Sequence, residues 1–323
     1  FCSNDYLGLA HHPEVRAAFQ GAAVGASRLI SGNRPAHEAL EERIEELYGR
    51  PATLFSSGYH ANLALMSTVT QRGDIVASDA LNHASLIDGL RLSKAERTIL
   101  PHGKPQCIDP NARMVVIEGV YSMDGDILDI PRYVGDHWLV VDEAHAFGVI
   151  GENGLGAARN HEVDPDFIVG TLGKAIGTYG AFVVGPPELK SLLMSQGRSF
   201  IFTTGLPEPI VNASMVALNL ATDERRALLQ RNVDRFRGGL NDLGIPALGS
   251  THIVPVVLGP RTMHVAEALL ARGHWAAGIR APTVAPGTER VRFTLSASHT
   301  FDQIDSLLND LNAVLKECPD DHT

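Results

Sequence analysis

The strongest constraint this chain places on its own fold is a series of seven short apolar runs within its first 184 residues. They fall at Ala52–Phe55, 75–78, 98–100, Met114–Glu118, 138–141, 167–169 and Ala181–Val184. Several are continuous rather than alternating, the pattern of strands covered on both faces. Helical spacing precedes the first run at 36–48, where Leu40, Ile44 and Leu47 share a face opposite glutamates, and recurs between runs at 61–70 and 83–93. The alternation predicts an α/β layer fold with a mainly parallel sheet. The character changes after Leu206-Pro207-Glu208-Pro209. A helix is expected over 210–243, then strands at 253–258 and 291–295 and helices at 262–272 and 302–315, which makes a smaller C-terminal α+β domain. The expected organisation is an N-terminal segment 1–34, the trimmed start of something longer; a large domain 35–210; and a small domain 211–323, ending in a loose polar tail at 319–323.

Bulk properties narrow the function. The 323 residues are 44% hydrophobic, enough for a sizeable core, and carry a net charge of −10 from 37 acidic against 27 basic side chains. A nucleic-acid surface would be basic, so none is expected. The three cysteines, Cys2, Cys107 and Cys318, make neither a CxxC nor a disulfide framework, which points to a reducing, cytoplasmic setting. The apolar stretch 167–185 is interrupted by Lys174 and five glycines, so no membrane span is expected.

Two segments 32 residues apart carry the chemistry. Val140-Val141-Asp142-Glu143-Ala144-His145 reads as a buried strand ending in an acid and a histidine. Gly170-Thr171-Leu172-Gly173-Lys174-Ala175-Ile176-Gly177 sets one lysine in a loop of small residues. A lysine to form an imine, with an acid to keep a proton on a pyridine nitrogen, is what pyridoxal phosphate (PLP) requires of a protein. Most loop lysines are merely solvated, but glycines at 170, 173, 177 and 180 let a backbone or a flat ring approach closely. Asp142 ends its strand where open α/β sheets place ligands. As a buried carboxylate it calls for a cationic partner, unless it is a satisfied structural acid. His145 is placed to contact the ring's phenolic oxygen, although a lone strand-end histidine is ambiguous.

Other candidates are weaker singly. Ser56-Ser57-Gly58-Tyr59-His60 follows a strand and opens a helix, whose free N–H groups attract a phosphate; an ordinary capped turn reads the same way. His83 could stack on a ring, or its segment could be a capping turn with Asn82 as the cap. Ser122 could donate into the site. Asp124-Gly125-Asp126 reads as a turn, because no calcium-ligand spacing follows. Arg280, Arg290 and Arg292 offer forks suited to carboxylates. Arg290 and Arg292 alternate with Val291 and Phe293, so one is expected to be buried and functional and the other solvated.

Rival chemistries lack their parts. Asp142-Glu143-Ala144-His145 spells the second motif of a helicase class of ATPases, but no GxxxxGK[ST] loop stands upstream. The glycines of 148–156 lack a strand–GxGxxG–helix context. No metal-ligand spacing and no GxSxG nucleophile elbow occurs.

The motifs also have an order. Asn4-Asp5-Tyr6-Leu7-Gly8-Leu9, Ser27-Arg28-Leu29-Ile30-Ser31-Gly32-Asn33, Ser57-Gly58-Tyr59-His60-Ala61-Asn62 and Asn82-His83-Ala84-Ser85 come first. Glu118-Gly119-Val120-Tyr121-Ser122-Met123-Asp124-Gly125, Asp142-Glu143-Ala144-His145, Thr171-Leu172-Gly173-Lys174 and Phe202-Thr203-Thr204-Gly205-Leu206-Pro207 follow. Together they resemble the α-oxoamine synthase family of fold-type I PLP enzymes over nearly the whole chain. The resemblance implies a homodimeric, PLP-dependent acyltransferase that runs a decarboxylative Claisen condensation between an amino acid and an acyl thioester. It implies that Lys174 forms the imine and acts as the base, that Asp142 binds the pyridinium and that His83 stacks on the ring. It assigns hydrogen bonds to the cofactor to His145 and Ser122, and the phosphate region to Gly58, Tyr59 and Thr171, with Thr204 reaching in from a second subunit. Asn4, His83 and Arg292 would meet the amino acid, and Thr283 the acyl side. The segments 253–259, 279–288 and 295–300 are similar to the branch that joins L-alanine to a pimeloyl thioester in biotin biosynthesis. A sister synthase using glycine or serine shares most motifs. A catalytically silent assembly partner is the alternative of a different class, and retention of Lys174 speaks against it. Family members usually carry several dozen residues before the position of Phe1, and the stretches 101–113 and 129–137 are short by comparison.

Overall fold

The structure, a computed structural model, describes residues 1–318; the tail 319–323 lies outside the described residues. The chain forms two compact units. The larger comprises Leu9–Val120 and Leu128–Ala221, and the smaller comprises Phe1–Gly8, Tyr121–Ile127 and the described residues from Thr222 on. The crossing at Ala221 coincides with a break between two helices, Glu208–Leu220 and Asp223–Asp242, where a single helix over 210–243 was expected. Thr222 is extended (φ −89°, ψ 165°), and Asp223 and Glu224 open a new first turn. A hydroxyl residue followed by acids is a helix-start signal that favours the positive end of the helix dipole.

In the larger unit each of the seven apolar runs is a strand: β1 (Ala52–Phe55), β2 (Ile75–Asp79), β3 (Glu96–Leu100), β4 (Met114–Glu118), β5 (Trp138–Asp142), β6 (Phe167–Thr171) and β7 (Ala181–Val184). They form one sheet in the order β1-β7-β6-β5-β4-β2-β3. The pairs β6–β5, β5–β4, β4–β2 and β2–β3 are parallel, and β7 runs antiparallel to both β6 and β1. β1, β4, β6 and β7 are buried along their whole length, which is why their sequences show no alternation.

Val76, Met114, Val116, Val140 and Val169 of the sheet pack with Leu65 and Met66 of the helix Gly58–Val69 and with Leu86 and Leu90 of the helix Ala84–Ser93. Full burial of such side chains is worth about 1.5–3 kcal/mol each. Gly89 lets the two helices touch. A Cβ there would stand 2.8 Å from Met66 Cβ and 2.9 Å from Asn62 O.

Parallel pairing brings the strand ends level. Glu118 pairs with Asp142, and Asp142 with Val169, along the carboxyl edge where such sheets bind ligands. Gly170, just ahead of the lysine loop, faces Phe182, whose Cζ would lie 2.1 Å from any Cβ added there.

Glu143 ties this edge to the next helix. It is fully buried, and its carboxylate accepts the N–H groups of Ala157 (2.9 Å) and Ala158 (2.8 Å). Burial pushes its pKa up to about 7, with repulsion from Asp142 adding to the rise and the two N–H donors opposing it. Between about pH 4.5 and 7 the unfolded chain is ionised here while the folded chain keeps the proton, so stability falls as pH rises through that window. The slope from this group is at most about 1.4 kcal/mol per pH unit. Glu143→Gln should flatten it, while the lost acceptor costs about 1–3 kcal/mol. Urea midpoints at pH 5, 6, 7 and 8 test this; equal slopes for variant and parent would reject it.

The smaller unit holds a three-stranded antiparallel sheet in the order β8 (Ile253–Val257), β10 (Arg290–Thr294), β9 (Ala277–Ile279). β9 was not expected; three half-buried residues are too short to show a period. Its helices include Asp223–Asp242, Thr262–Ala271 and Phe301–Glu317, the last opened by a Thr300–Gln303 capping box. Contrary to the expectation that one of two arginines would be solvated, Arg290 and Arg292 are both 6% exposed. Arg290 is paired with the Asp124 carboxylate and is therefore not free to meet solvent.

Candidate active site

The larger unit contains a cavity of about 170 Å³ at the carboxyl ends of its strands. Seven of the residues singled out from sequence line it: Gly58, Tyr59, His83, Asp142, His145, Thr171 and Lys174. Asn62, Ser85, Glu118 and Ala144 complete the lining. Thr204 lies in the same unit but lines a separate narrow cleft with Ser56, Ser199 and Phe200.

Lys174 is half-buried, and its Nζ stands 2.8 Å from His145 Nε2. The Thr171 hydroxyl shapes the loop around it, donating to Gly180 O (3.0 Å) and accepting from Gly173 N–H (3.2 Å). Asp142 is 4% exposed. Its Oδ1 accepts Ala144 N–H (3.0 Å), and its Oδ2 accepts an amide hydrogen of Asn62 (2.7 Å). Glu118, at the end of the adjacent strand, accepts His83 N–H at 2.6 Å. Burial, then repulsion from Asp142, raises the Glu118 pKa well above the usual carboxylate range against the pull of Lys174. Glu118 is thus biased towards its neutral form.

His83, not Asn82, caps the helix Ala84–Ser93, through Nδ1 and the Ser85 N–H at 3.2 Å. The Asn82 amide is spent on Ser78 Oγ (3.0 Å) and Val116 O (2.8 Å), which ties β2 to β4. Ser57 caps the helix Gly58–Val69 by accepting His60 N–H at 3.2 Å. Tyr59, partly exposed, donates its hydroxyl to Asp88 at 2.6 Å.

In the smaller unit three further candidates, Asn4, Ser122 and Arg292, meet. The Arg292 guanidinium donates to the Ser122 carbonyl and approaches Asn4 Oδ1 at 3.5 Å, while the Tyr6 hydroxyl donates to the same Asn4 oxygen at 3.0 Å. Ser122 thus enters this contact through its carbonyl rather than its hydroxyl. Thr283 is exposed in a turn closed by its N–H on Arg280 O at 3.0 Å.

The cavity suits PLP on two observations. The Asp142 carboxylate is buried on the cavity wall with both oxygens met by neutral donors, so a protonated ring nitrogen would supply the charge that burial demands. A Cβ built on Gly58 meets no atom within 4 Å, which leaves open space at the N-terminus of a 12-residue helix, where first-turn N–H groups favour a phosphate. Among the described residues no cluster of three His, Cys, Asp or Glu side chains could hold a metal ion, and no helix is long and apolar enough to cross a membrane.

Asn62, Ser85 and Glu118 were not singled out from sequence. Glu118 offered a signal, as an acid ending a continuous apolar strand just as Asp142 does. Asn62 is a polar residue on the otherwise apolar buried face of its helix, a weaker one.

A family model for aminotransferase class I and II matches residues 1–311. The chain belongs to the aminotransferase class I and II family. Among curated members, the 8-amino-7-oxononanoate synthase of Methylococcus capsulatus is 44% identical over 339 aligned residues, spanning 96% of this chain and 87% of that protein. A solved serine palmitoyltransferase from S. paucimobilis with a bound PLP–myriocin aldimine superposes with a TM-score of 0.92 at 30% identity, covering 98% of this chain and 87% of that one. The 8-amino-7-oxononanoate synthase of Francisella tularensis superposes at 0.85 with 28% identity, covering 98% and 97%. The architecture of this aminotransferase class I and II chain is accordingly that of a fold-type I PLP transferase with a mainly parallel central sheet.

Proposed function

We propose that the chain is a PLP-dependent acyltransferase that condenses L-alanine with a pimeloyl thioester. The alanine carboxylate leaves as carbon dioxide, the thiol is released, and 8-amino-7-oxononanoate remains, a step of biotin biosynthesis. The observation that carries this reading is the meeting of Lys174, His145, His83 and Asp142 on one cavity, in a chain 44% identical to a curated synthase of that product.

Bound PLP supplies an electron-accepting ring for the electron pair left at the amino-acid α-carbon. Lys174 anchors the cofactor covalently and takes the α-proton on Nζ. His145, 2.8 Å from that amine, orients it and hydrogen-bonds the cofactor. Asp142 holds the proton on the ring nitrogen, with Asn62 and Ala144 fixing the carboxylate. His83 stacks on the ring and meets the substrate. Gly58, Tyr59 and Thr171 hold the phosphate, joined by Thr204 of a second protomer in a homodimer, and Ser122 adds a hydrogen bond to the cofactor. Arg292, with Asn4, takes the amino-acid carboxylate, for which the guanidinium fork is suited. Thr283 lines the acyl side. The setting is the cytoplasm.

A serine-using sister reaction is the second reading, because the serine palmitoyltransferase superposes better, at 0.92 against 0.85. Backbone likeness reports the fold, whereas the side chains that choose a substrate follow sequence, and identity is higher to the curated synthase, 44% against 30%. Steady-state kinetics with alanine, glycine and serine, each against pimeloyl, acetyl, succinyl and palmitoyl thioesters, separates the two. Alanine with the pimeloyl donor should lead in kcat/KM by about tenfold or more, the discrimination one small group commands in a pocket. A maximum with serine and palmitoyl would replace this reading with the other.

A further inference from the structure

Asn62 (1% exposed) and Ser85 (0% exposed) stand on the two helices that touch at Gly89. Asn62 Nδ2 lies 2.7 Å from Asp142 Oδ2 and 2.9 Å from Ser85 Oγ, so both amide hydrogens are spent. The carboxamide cannot be turned over, because Oδ1 would then face a carboxylate oxygen, acceptor against acceptor. In the orientation present, Asn62 Oδ1 meets no hydrogen-bond donor among the described residues, so the two donated bonds decide how the group sits.

The polarity propagates. Ser85 Oγ receives a hydrogen from Asn62, and its own hydrogen is then directed to His83 Nδ1, 2.7 Å away. The Ser85 backbone N–H, which can only donate, also points at Nδ1 from 3.2 Å. Two donors converge on this ring nitrogen, which leaves it no room for a hydrogen of its own. We infer that Asn62 and Ser85 are positioning residues that hold His83 as the Nε2–H tautomer and tie its ring to the same hydrogen-bonded chain that aims Asp142.

The consequence for catalysis rests on the proposed function; the tautomer itself does not. His83 enters the reaction as a hydrogen donor from Nε2, and removal of the α-proton is left to Lys174. The second ring nitrogen is occupied by the fold and takes no part in proton transfer.

The test is a long-range proton–nitrogen correlation spectrum of the full chain carrying ¹⁵N-histidine, recorded at pH 7.5 before and after PLP is added. The chain has 14 histidines, so the His83 signals are identified by their loss in His83→Gln. The parent should show His83 as a single Nε2–H tautomer in both samples. Ser85→Ala and Asn62→Ala should each lose that purity and give a tautomer mixture, and Ser85→Thr, which keeps the hydroxyl, should restore the single form. A His83 ring that carries its hydrogen on Nδ1, or on both nitrogens, in the parent protein overturns the inference, and needs no variant beyond the one used for assignment. Unchanged tautomer purity in both alanine variants overturns the relay. Neither result bears on whether alanine and a pimeloyl thioester are the substrates, which the kinetic matrix decides separately.

Discussion

Lys174→Ala lowers kcat by about four orders of magnitude or more. Loss of a positioned proton acceptor alone accounts for about 10²–10⁴-fold, and the variant also loses the amine that anchors the cofactor. His145 loses its 2.8 Å partner at the same time. Lys174→Arg should not rescue, because a guanidinium stays protonated and is a poor nucleophile. The check is turnover of PLP-loaded variants, alongside borohydride reduction of the parent. Reduction should fix the cofactor's mass to the peptide containing residue 174 in the parent and to no peptide in the variant. Parent-like turnover in Lys174→Ala would remove the lysine from the mechanism.

Asp142→Asn is the second large effect, at about 10²–10⁴-fold in kcat/KM. Breaking a buried charge pair by removing one member costs about 3–5 kcal/mol, and about 1.4 kcal/mol makes a decade in rate. The substitution keeps size but not polarity. Both Asp142 oxygens accept hydrogens, from Ala144 N–H and from Asn62 Nδ2, so a carboxamide there must set its own NH₂ against one of those donors. The ring nitrogen would then lack an anionic partner. Saturation with PLP should not restore the rate, because the deficit lies in the held proton rather than in occupancy. A loss smaller than about tenfold at saturating PLP would show that Asp142 is a structural acid after all.

What could be read from the sequence followed from how local each signal was. The seven strands announced themselves because burial on both faces removes polar residues from β1, β4, β6 and β7. The residues at the strand ends were conspicuous for the same reason, and the structure sets Asp142, His145, Thr171 and Lys174 around one cavity. Features that depend on distant partners left no such trace. Glu118 meets His83 across 35 positions, and Asn62 meets Ser85 across 23 and Asp142 across 80, so no window of sequence contains both ends of these bonds. The burial of Arg290 depends on Asp124, 166 residues away, and strand alternation alone could not reveal it. The helix break at Ala221 was local, but Thr222-Asp223-Glu224 was absorbed into an otherwise helical pattern.

The smaller unit is stitched from three stretches of chain. Thr294 N–H bonds Phe1 O at 2.9 Å, and Ala297 N–H bonds Tyr6 O at 2.8 Å, while the Thr251 hydroxyl bonds Gly125 O at 2.8 Å. A ribosome therefore releases residues 1–8 long before their partners exist, and that unit waits until Thr294 and Ala297 have been added. Contacts of such sequence separation make closure late and slow, so the early chain must stay soluble in the interval. An excised fragment starting at Thr222 would lack the partners that these backbone groups need.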